Sequence, residues 1–310
     1  MISEPAIDRL QQVIGAPDLS GTRYELISIL GEGGMGVVYL ARDVVLDREV
    51  AVKVLDRAES AAAARLGQEA RILARLEHPG IVPVHDFGEL ADGRIFYAMK
   101  RVRGERLDRW VAPAAGLRAR LGVFVRICEA VAFAHAHGVI HRDLKPENVM
   151  VGEFGEVLVL DWGIALLKPA PALLQPGPGP SRRPDAPSSP RPAGSGTPPY
   201  MAPEQERGDE VDERADIYAL GTILAEIVDR APALLAIAAK ARQPNRGDRY
   251  ASVRELSADI ARFLAGAAVE AHRETIIDRT RRFIARYRTP IALVLTYVVM
   301  RLLLLWMFRI

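Results

Sequence analysis

The hydrophobic pattern of the chain changes character about a third of the way along. From Tyr24 to Leu55, "YELISILGEGGMGVVYLARDVVLDREVAVKVL" consists of short apolar, β-branched runs broken by a glycine-rich turn. Such runs predict strands. "AESAAAARLGQEARILARLE" over residues 58–77 is dominated by Ala, Leu, Arg and Glu, with apolar residues every three or four positions, and predicts a helix. "FYAMKRV" predicts a strand and "LRARLGVFVRICEAVAFAHAHG" a long, largely buried helix. "NVMVGEFGEVLVL" predicts two short strands around a glycine-containing turn. "DIYALGTILAEIVD", "ALLAIAAKAR" and "SVRELSADIARFLAG" predict helices. The fold class expected is α+β, strand-rich first and helix-rich afterwards.

Two stretches break this pattern. Residues 168–199, "KPAPALLQPGPGPSRRPDAPSSPRPAGSGTPP", hold about half of the chain's 21 prolines. Their composition offers too little apolar surface to offset the entropy of ordering them. A linker between two domains is the first reading. The second stretch, Ile291 to Phe308, is apolar except for Arg301, close to the minimum length of a membrane-spanning helix. Its Leu, Ile, Val and Phe residues contribute about −0.5 kcal/mol each to insertion, against roughly +3 for a central Arg. Arg301 lies past the middle, within reach of the far interface. A transmembrane helix over 290–308 is therefore expected, with a buried terminal helix as the alternative. Arg279, Arg281, Arg282, Arg286 and Arg288 precede the span, which places the bulk of the chain in the cytoplasm, at the inner face of a plasma membrane. On that topology an extracellular sensor is excluded from this polypeptide. The basic segment 267–289 reads either as a solvated stalk or as a helix on anionic headgroups.

Composition narrows the classes. The 310 residues are 49% hydrophobic, enough for a sizeable core, and the net charge of +2 points to no nucleic-acid partner. The one cysteine, Cys128, sits in an apolar run and is expected as a buried core residue in a reducing compartment. Residues 1–23 form an N-terminal extension without the basic-then-apolar pattern of a signal peptide.

Candidate chemistry begins at "GEGGMGVVY". Gly31, Gly33 and Gly36 have the spacing G-x-G-x-x-G, in which missing Cβ atoms let backbone N–H groups approach phosphate oxygens. A dinucleotide site needs a helix after the glycines, whereas "VVYLAR" reads as a strand. Lys53 lies in the apolar strand "VAVKVL", where a cation needs a partner unless it sits on an exposed edge. Glu69 on the next helix is a candidate partner, and the pair suits phosphate oxygens. "HRDLKPEN" supplies Asp143 to accept a hydroxyl proton, Lys145 to neutralise phosphoryl charge and Asn148 to offer an amide oxygen to a hard cation. Asp161 of "DWG" adds a carboxylate, so that Asn148 and Asp161 suit Mg²⁺.

Together with "APE" (Ala202 to Glu204), these motifs resemble, in order and spacing, the eukaryotic-like (Hanks-type) serine/threonine protein kinases, and especially their bacterial membrane-anchored branch. The resemblance covers Tyr24 to Gly266. It implies a two-lobed protein kinase fold, with an N-lobe over 24–100, a C-lobe over 104–266 and the proline-rich stretch as an insert in the activation segment. It implies ATP and Mg²⁺ as cofactors and Ser/Thr hydroxyls of proteins as substrates. ATP would lie against Leu30, Gly31, Glu32, Gly33, Gly34, Met35, Gly36, Val37, Val38, Ala51, Lys53 and Met99, with Met99 as gatekeeper before a hinge at Lys100 to Arg103. Asp143 would be the base, Lys145, Lys53 and Glu69 its catalytic partners, and Asn148 and Asp161 the metal ligands. Asp216 would brace the catalytic loop, Arg249 pair with Glu204, and Thr197 position Asp143 and Lys145. Arg142 resembles the arginine that reads phosphorylation of the segment, for which Ser181, Ser188, Ser189 and Ser195 are candidate sites. Membrane lipid is an expected partner through the C-terminal helix, nucleic acid is not, and a dimer for trans-autophosphorylation is compatible with the resemblance.

Three departures matter. Trp162 replaces the commoner Phe of Asp-Phe-Gly. Only residues 227–248 separate Glu226 from Arg249, where related kinases carry a longer substrate-docking segment. No sensor follows the expected span. A nucleotide-binding scaffold without turnover and a small-molecule phosphotransferase are the competing readings, and "GTPPYMAPE" argues against the second.

Overall fold

The computed structural model describes residues 16–33, 36–55, 67, 69–110, 116–162, 165–167, 197–228, 231–272 and 288–307. Gly34, Met35, most of the helix expected over 58–77, residues 168–196 of the proline-rich stretch with its serines, and residues 273–287 lie outside them.

The first lobe is a five-stranded antiparallel sheet in the order β1-β2-β3-β5-β4. Its strands are β1 (Tyr24–Gly33), β2 (Gly36–Asp43), β3 (Arg48–Val54), β4 (Val84–Glu89) and β5 (Ile95–Lys100). Side chains alternate across a strand. Val50, Val52 and Val54 thus enter an outer core with Tyr24, Val37, Tyr39 and Phe96, while Ala51 and Lys53 turn to the opposite face. Helix α1, described at residues 67 and 69–73, buries Ala70, Ile72 and Leu73 in a second core shared with the C-terminal lobe. One glycine is fixed by sterics. Gly36 has φ +117°, and a Cβ there would strike the carbonyl of Val54 across the β2–β3 pair.

The second lobe is helical. Strand β6 (Gly104–Arg106) and helix α2 (Leu107–Trp110) lead to α3 (Leu117–Ala136). Short strands β7 (Val139–Ile140), β8 (Val149–Gly152), β9 (Val157–Val159) and β10 (Leu166–Leu167) carry the loops of the cleft. Then come α4 (Pro203–Arg207), α5 (Arg214–Ile227), α6 (Pro232–Ala241) and α7 (Val253–Leu264). Ser252 caps α7 by accepting from the N–H of Glu255 at 3.3 Å. Cys128 is buried in α3, and burial pushes its thiol pKa up.

The short link after Glu226 is closed by packing. Gly221 lets α5 approach α6 so closely that a Cβ would meet Ala241 and the carbonyl of Ala238. Arg249, placed by the turn after α6, reaches back to Glu204 in a bidentate pair at 2.6 and 2.7 Å. It also donates to the carbonyls of Arg214 and Gln243.

The C-terminal helix α8 spans Arg288–Met307. Leu293, Val294, Leu295 and Leu303 are exposed on it, so the alternative of a terminal helix buried in the C-lobe does not hold for them. The expected membrane span over 290–308 is not found either: among the described residues, no helix is long and apolar enough to cross a membrane.

Removing one partner of the Glu204–Arg249 pair strands a buried charge. Glu204→Ala is expected to cost about 3–5 kcal/mol, read from urea unfolding. Replacing both residues by apolar ones of similar volume should recover most of that loss.

Candidate active site

The cleft face of the sheet follows from strand register. Val38, Lys53 and Tyr97 lie opposite one another across β2, β3 and β5, as do Leu40, Ala51 and Met99. Small Ala51 and half-buried Val38 and Met99 form an apolar wall, and Leu30, Gly31 and Glu32 stand exposed at the tip of β1. Val37 sits differently. Its side chain packs into the outer core, so only its backbone can face the cleft. At the hinge, Arg101 and Arg103 both pair with Glu49.

Lys53 is buried, and its ammonium lies 3.1 Å from both oxygens of Glu69 and 3.3 Å from Asp161. Burial alone would drive off its proton, but the two carboxylates hold its pKa above the ordinary lysine value. Asp161 is the accessible member, with 42% of its side chain exposed. Burial would raise its pKa, yet Lys53 and then His141 hold it below the usual carboxylate value. Its φ of +57° is unusual for a residue other than glycine.

The loop between β7 and β8 is built around Asp216. That carboxylate, from the first turn of α5 and 1% exposed, accepts the backbone N–H groups of His141 and Arg142 at 2.8 Å. It also meets His135 Nε2 at 2.7 Å. The clamp holds Arg142 at φ +71°, and Gln205 Nε2 donates to the Arg142 carbonyl at 2.9 Å. Burial would raise the Asp216 pKa, but the hydrogen bond from His135 and the backbone N–H of Arg142 keep it low.

Beyond this clamp, Lys145 Nζ donates to Asp143 Oδ2 at 2.9 Å and to Thr197 Oγ1 at 2.8 Å. The Thr197 hydroxyl donates in turn to Asp143 Oδ1 at 3.2 Å. Asn148 Nδ2 donates to the Asp143 carbonyl at 2.8 Å. Its amide nitrogen is thereby committed, and its carbonyl oxygen is the atom that can serve a hard cation. Trp162, which stands where Phe is commoner, is buried with its indole tilted against His141 and its N–H directed at the Val159 carbonyl at 3.4 Å.

The structure thus brings Lys53, Glu69, Asp143, Lys145, Asn148, Asp161 and Thr197 to one cleft, whereas Gly34 and Met35 are outside the described residues. Three participants escaped sequence reasoning: Tyr97, whose hydroxyl donates to Glu69 at 2.8 Å, His135 and Gln205. Tyr97 and His135 are polar groups in apolar runs, where burial demands a partner. That demand is the signal that would have marked them. Gln205 lies in the polar run "PEQERGDE" and gives no such signal.

The donor set suits nucleotide and magnesium. Among the described residues no group of three or more His, Cys, Asp or Glu could hold a metal by itself. One carboxylate and one amide oxygen fit instead a Mg²⁺ that takes its other ligands from phosphates and water. Lys53 fits the phosphates, and a side chain at Gly31 would find nothing within 4 Å.

A strand lobe over a helical lobe, with this cleft between them, is the architecture of protein kinases. The protein kinase domain family matches residues 24–265, and the chain belongs to that family. The serine/threonine-protein kinase PknD of Chlamydia trachomatis is 36% identical over 298 residues, covering 79% of this chain and 32% of that protein. The serine/threonine-protein kinase Pkn3 of Myxococcus xanthus is 39% identical over 219 residues, covering 66% and 37% respectively. The DNA damage-responsive serine/threonine-protein kinase RqkA of Deinococcus radiodurans is 40% identical over 220 residues, covering 68% and 30%. The chain spans about a third of the length of these relatives.

Asp216 makes the loop sensitive to acid. Its folded pKa lies below the ordinary 3.8, so its stabilisation is complete above that value and is lost as pH falls through the lowered one. Asp216→Asn turns an amide N–H toward donors and should cost about 3 kcal/mol near neutrality. In thermal unfolding, the gap between wild type and variant should narrow once pH drops below 3.8.

Proposed function

We propose that this chain is an active serine/threonine protein kinase that transfers the γ-phosphoryl group of ATP to Ser/Thr hydroxyls of proteins. The carrying observation is the linked set Asp143–Lys145–Thr197, within one cleft that also holds Lys53, Glu69, Asn148 and Asp161. The relatives, all serine/threonine-protein kinases by name, support the same acceptor class.

ATP with Mg²⁺ supplies the transferable group and compensates much of its charge. Lys53, aligned by Glu69, binds phosphate oxygens, and Asn148 and Asp161 hold the metal. Asp143 orients the incoming hydroxyl and accepts its proton. Lys145, tied to Asp143 and Thr197, offsets charge where the phosphoryl group departs. Thr197 fastens the end of the activation segment to the base, coupling the substrate-positioning loop to the chemistry.

Membrane attachment through residues 290–308, with the kinase domain on the cytoplasmic face, belongs to the same proposal. It is supported by the exposed apolar side chains of α8 and the arginines that precede it. Carbonate extraction should release a chain truncated after Thr289 and not the full chain.

Wild type and Asp143→Asn are to be compared with Mg²⁺ and labelled ATP on a protein substrate. The variant should lose at least about a hundredfold in transfer yet keep ATP-dependent thermal stabilisation. Equal incorporation in both would remove the assignment. Stabilisation by ATP without transfer in wild type would support the scaffold reading instead.

A further inference from the structure

We propose that Tyr97 is a positioning residue of this kinase, whose hydroxyl holds Glu69 and with it helix α1 in the alignment that Lys53 needs. The inference rests on the kinase reading above and adds to it a residue that none of the catalytic motifs contains.

Tyr97 lies on β5 directly opposite Lys53 on β3. Its hydroxyl donates to Glu69 Oε1 at 2.8 Å, and the Lys53 ammonium stands 5.8 Å from its ring centroid. The phenol is 2% exposed and Glu69 1%. A buried carboxylate needs donors for both oxygens, and here Lys53 and Tyr97 supply them. Burial, and then the Glu69 charge, push the phenol pKa well above its ordinary value. The hydroxyl therefore stays protonated and can serve this carboxylate only as a donor.

The two donors differ in their obligations. Lys53 is shared, since it already reaches Asp161 and must also serve phosphate oxygens. Tyr97 is anchored in the sheet and has no such second demand. When Lys53 turns toward phosphate, Tyr97 keeps a donor on Glu69 and prevents a buried carboxylate from pulling α1 out of the cleft in search of water. It also draws charge from Glu69 and so loosens the carboxylate's hold on the ammonium. Inward placement of α1 thereby becomes a property of the sheet itself.

The test is Tyr97→Phe in the full chain, which keeps the ring and removes one donor. In nucleotide-free protein, amide hydrogen exchange over residues 69–73 should quicken at least about fivefold, with exchange in α3 unchanged. With ATP, kcat/KM should fall about tenfold, the loss of one hydrogen bond to a charged acceptor. KM for ATP should rise while KM for the protein substrate stays constant, a split that a mere loss of folded protein would not give. In a Glu69→Ala background, adding Tyr97→Phe should change neither exchange nor KM further. Exchange and KM for ATP within twofold of wild type would overturn the inference, as would an undiminished effect in the Glu69→Ala background. If wild type transfers no phosphate, the kinase reading fails, and exchange over residues 69–73 still decides the role of Tyr97.

Discussion

The catalytic loop depends on a single carboxylate with no access to water. Asp216 can remain charged at full burial only because two consecutive backbone N–H groups and a histidine point at it. The converse is equally binding. Arg142 occupies a left-handed conformation that costs on the order of 1–3 kcal/mol in a residue with a side chain, and the loop accepts that cost because the carboxylate captures both of its amides. Asp143, the next residue, is thereby aimed into the cleft before any ligand arrives. Preorganisation of this kind is what phosphoryl transfer asks of a protein, since positioning and charge compensation supply most of the catalysis.

Polar contacts spread from this point in two directions. Toward the cleft, Asp143 gathers Lys145, Thr197 and Asn148. Toward the base of the lobe, the Arg142 carbonyl meets Gln205, which sits beside Glu204 and hence beside Arg249. Charges along this route are buried only where an opposite charge or several backbone groups meet them. The same rule operates in the N-lobe, where Lys53 is buried between Glu69 and Asp161. The difference lies in exposure: Asp161 faces the cleft, so this pair is where an incoming cation can intervene, whereas the Glu204–Arg249 pair is sealed and structural.

Much of this was legible in the chain because kinase chemistry is written in contiguous pieces. "HRDLKPEN" puts base, lysine and amide within one turn of loop, and strand alternation around Lys53 predicts which face it takes. What was not legible depends on register between distant strands. Tyr97 reads as another aromatic in an apolar strand until β5 is paired with β3 and its hydroxyl lands on Glu69. Strand β4, "VHDFGE", carries no clear alternation because it is an edge strand with a register shift at His85, and β6, β7 and β10 are too short to leave a period. The apolar tally over 290–308 favoured a membrane span, yet no described helix meets that demand.

The shortened segment after Glu226 bears on where substrates are read. In this chain α6 follows α5 almost at once, and Gly221 removes the one side chain that would keep the two helices apart. The closure delivers Arg249 to Glu204 without an intervening helix. Tyr200, just past Thr197, donates to Glu226 at 2.9 Å and ties the segment's end to the last turn of α5. The Thr197 end of the segment is therefore fastened to the same helix whose Asp216 holds the loop of Asp143.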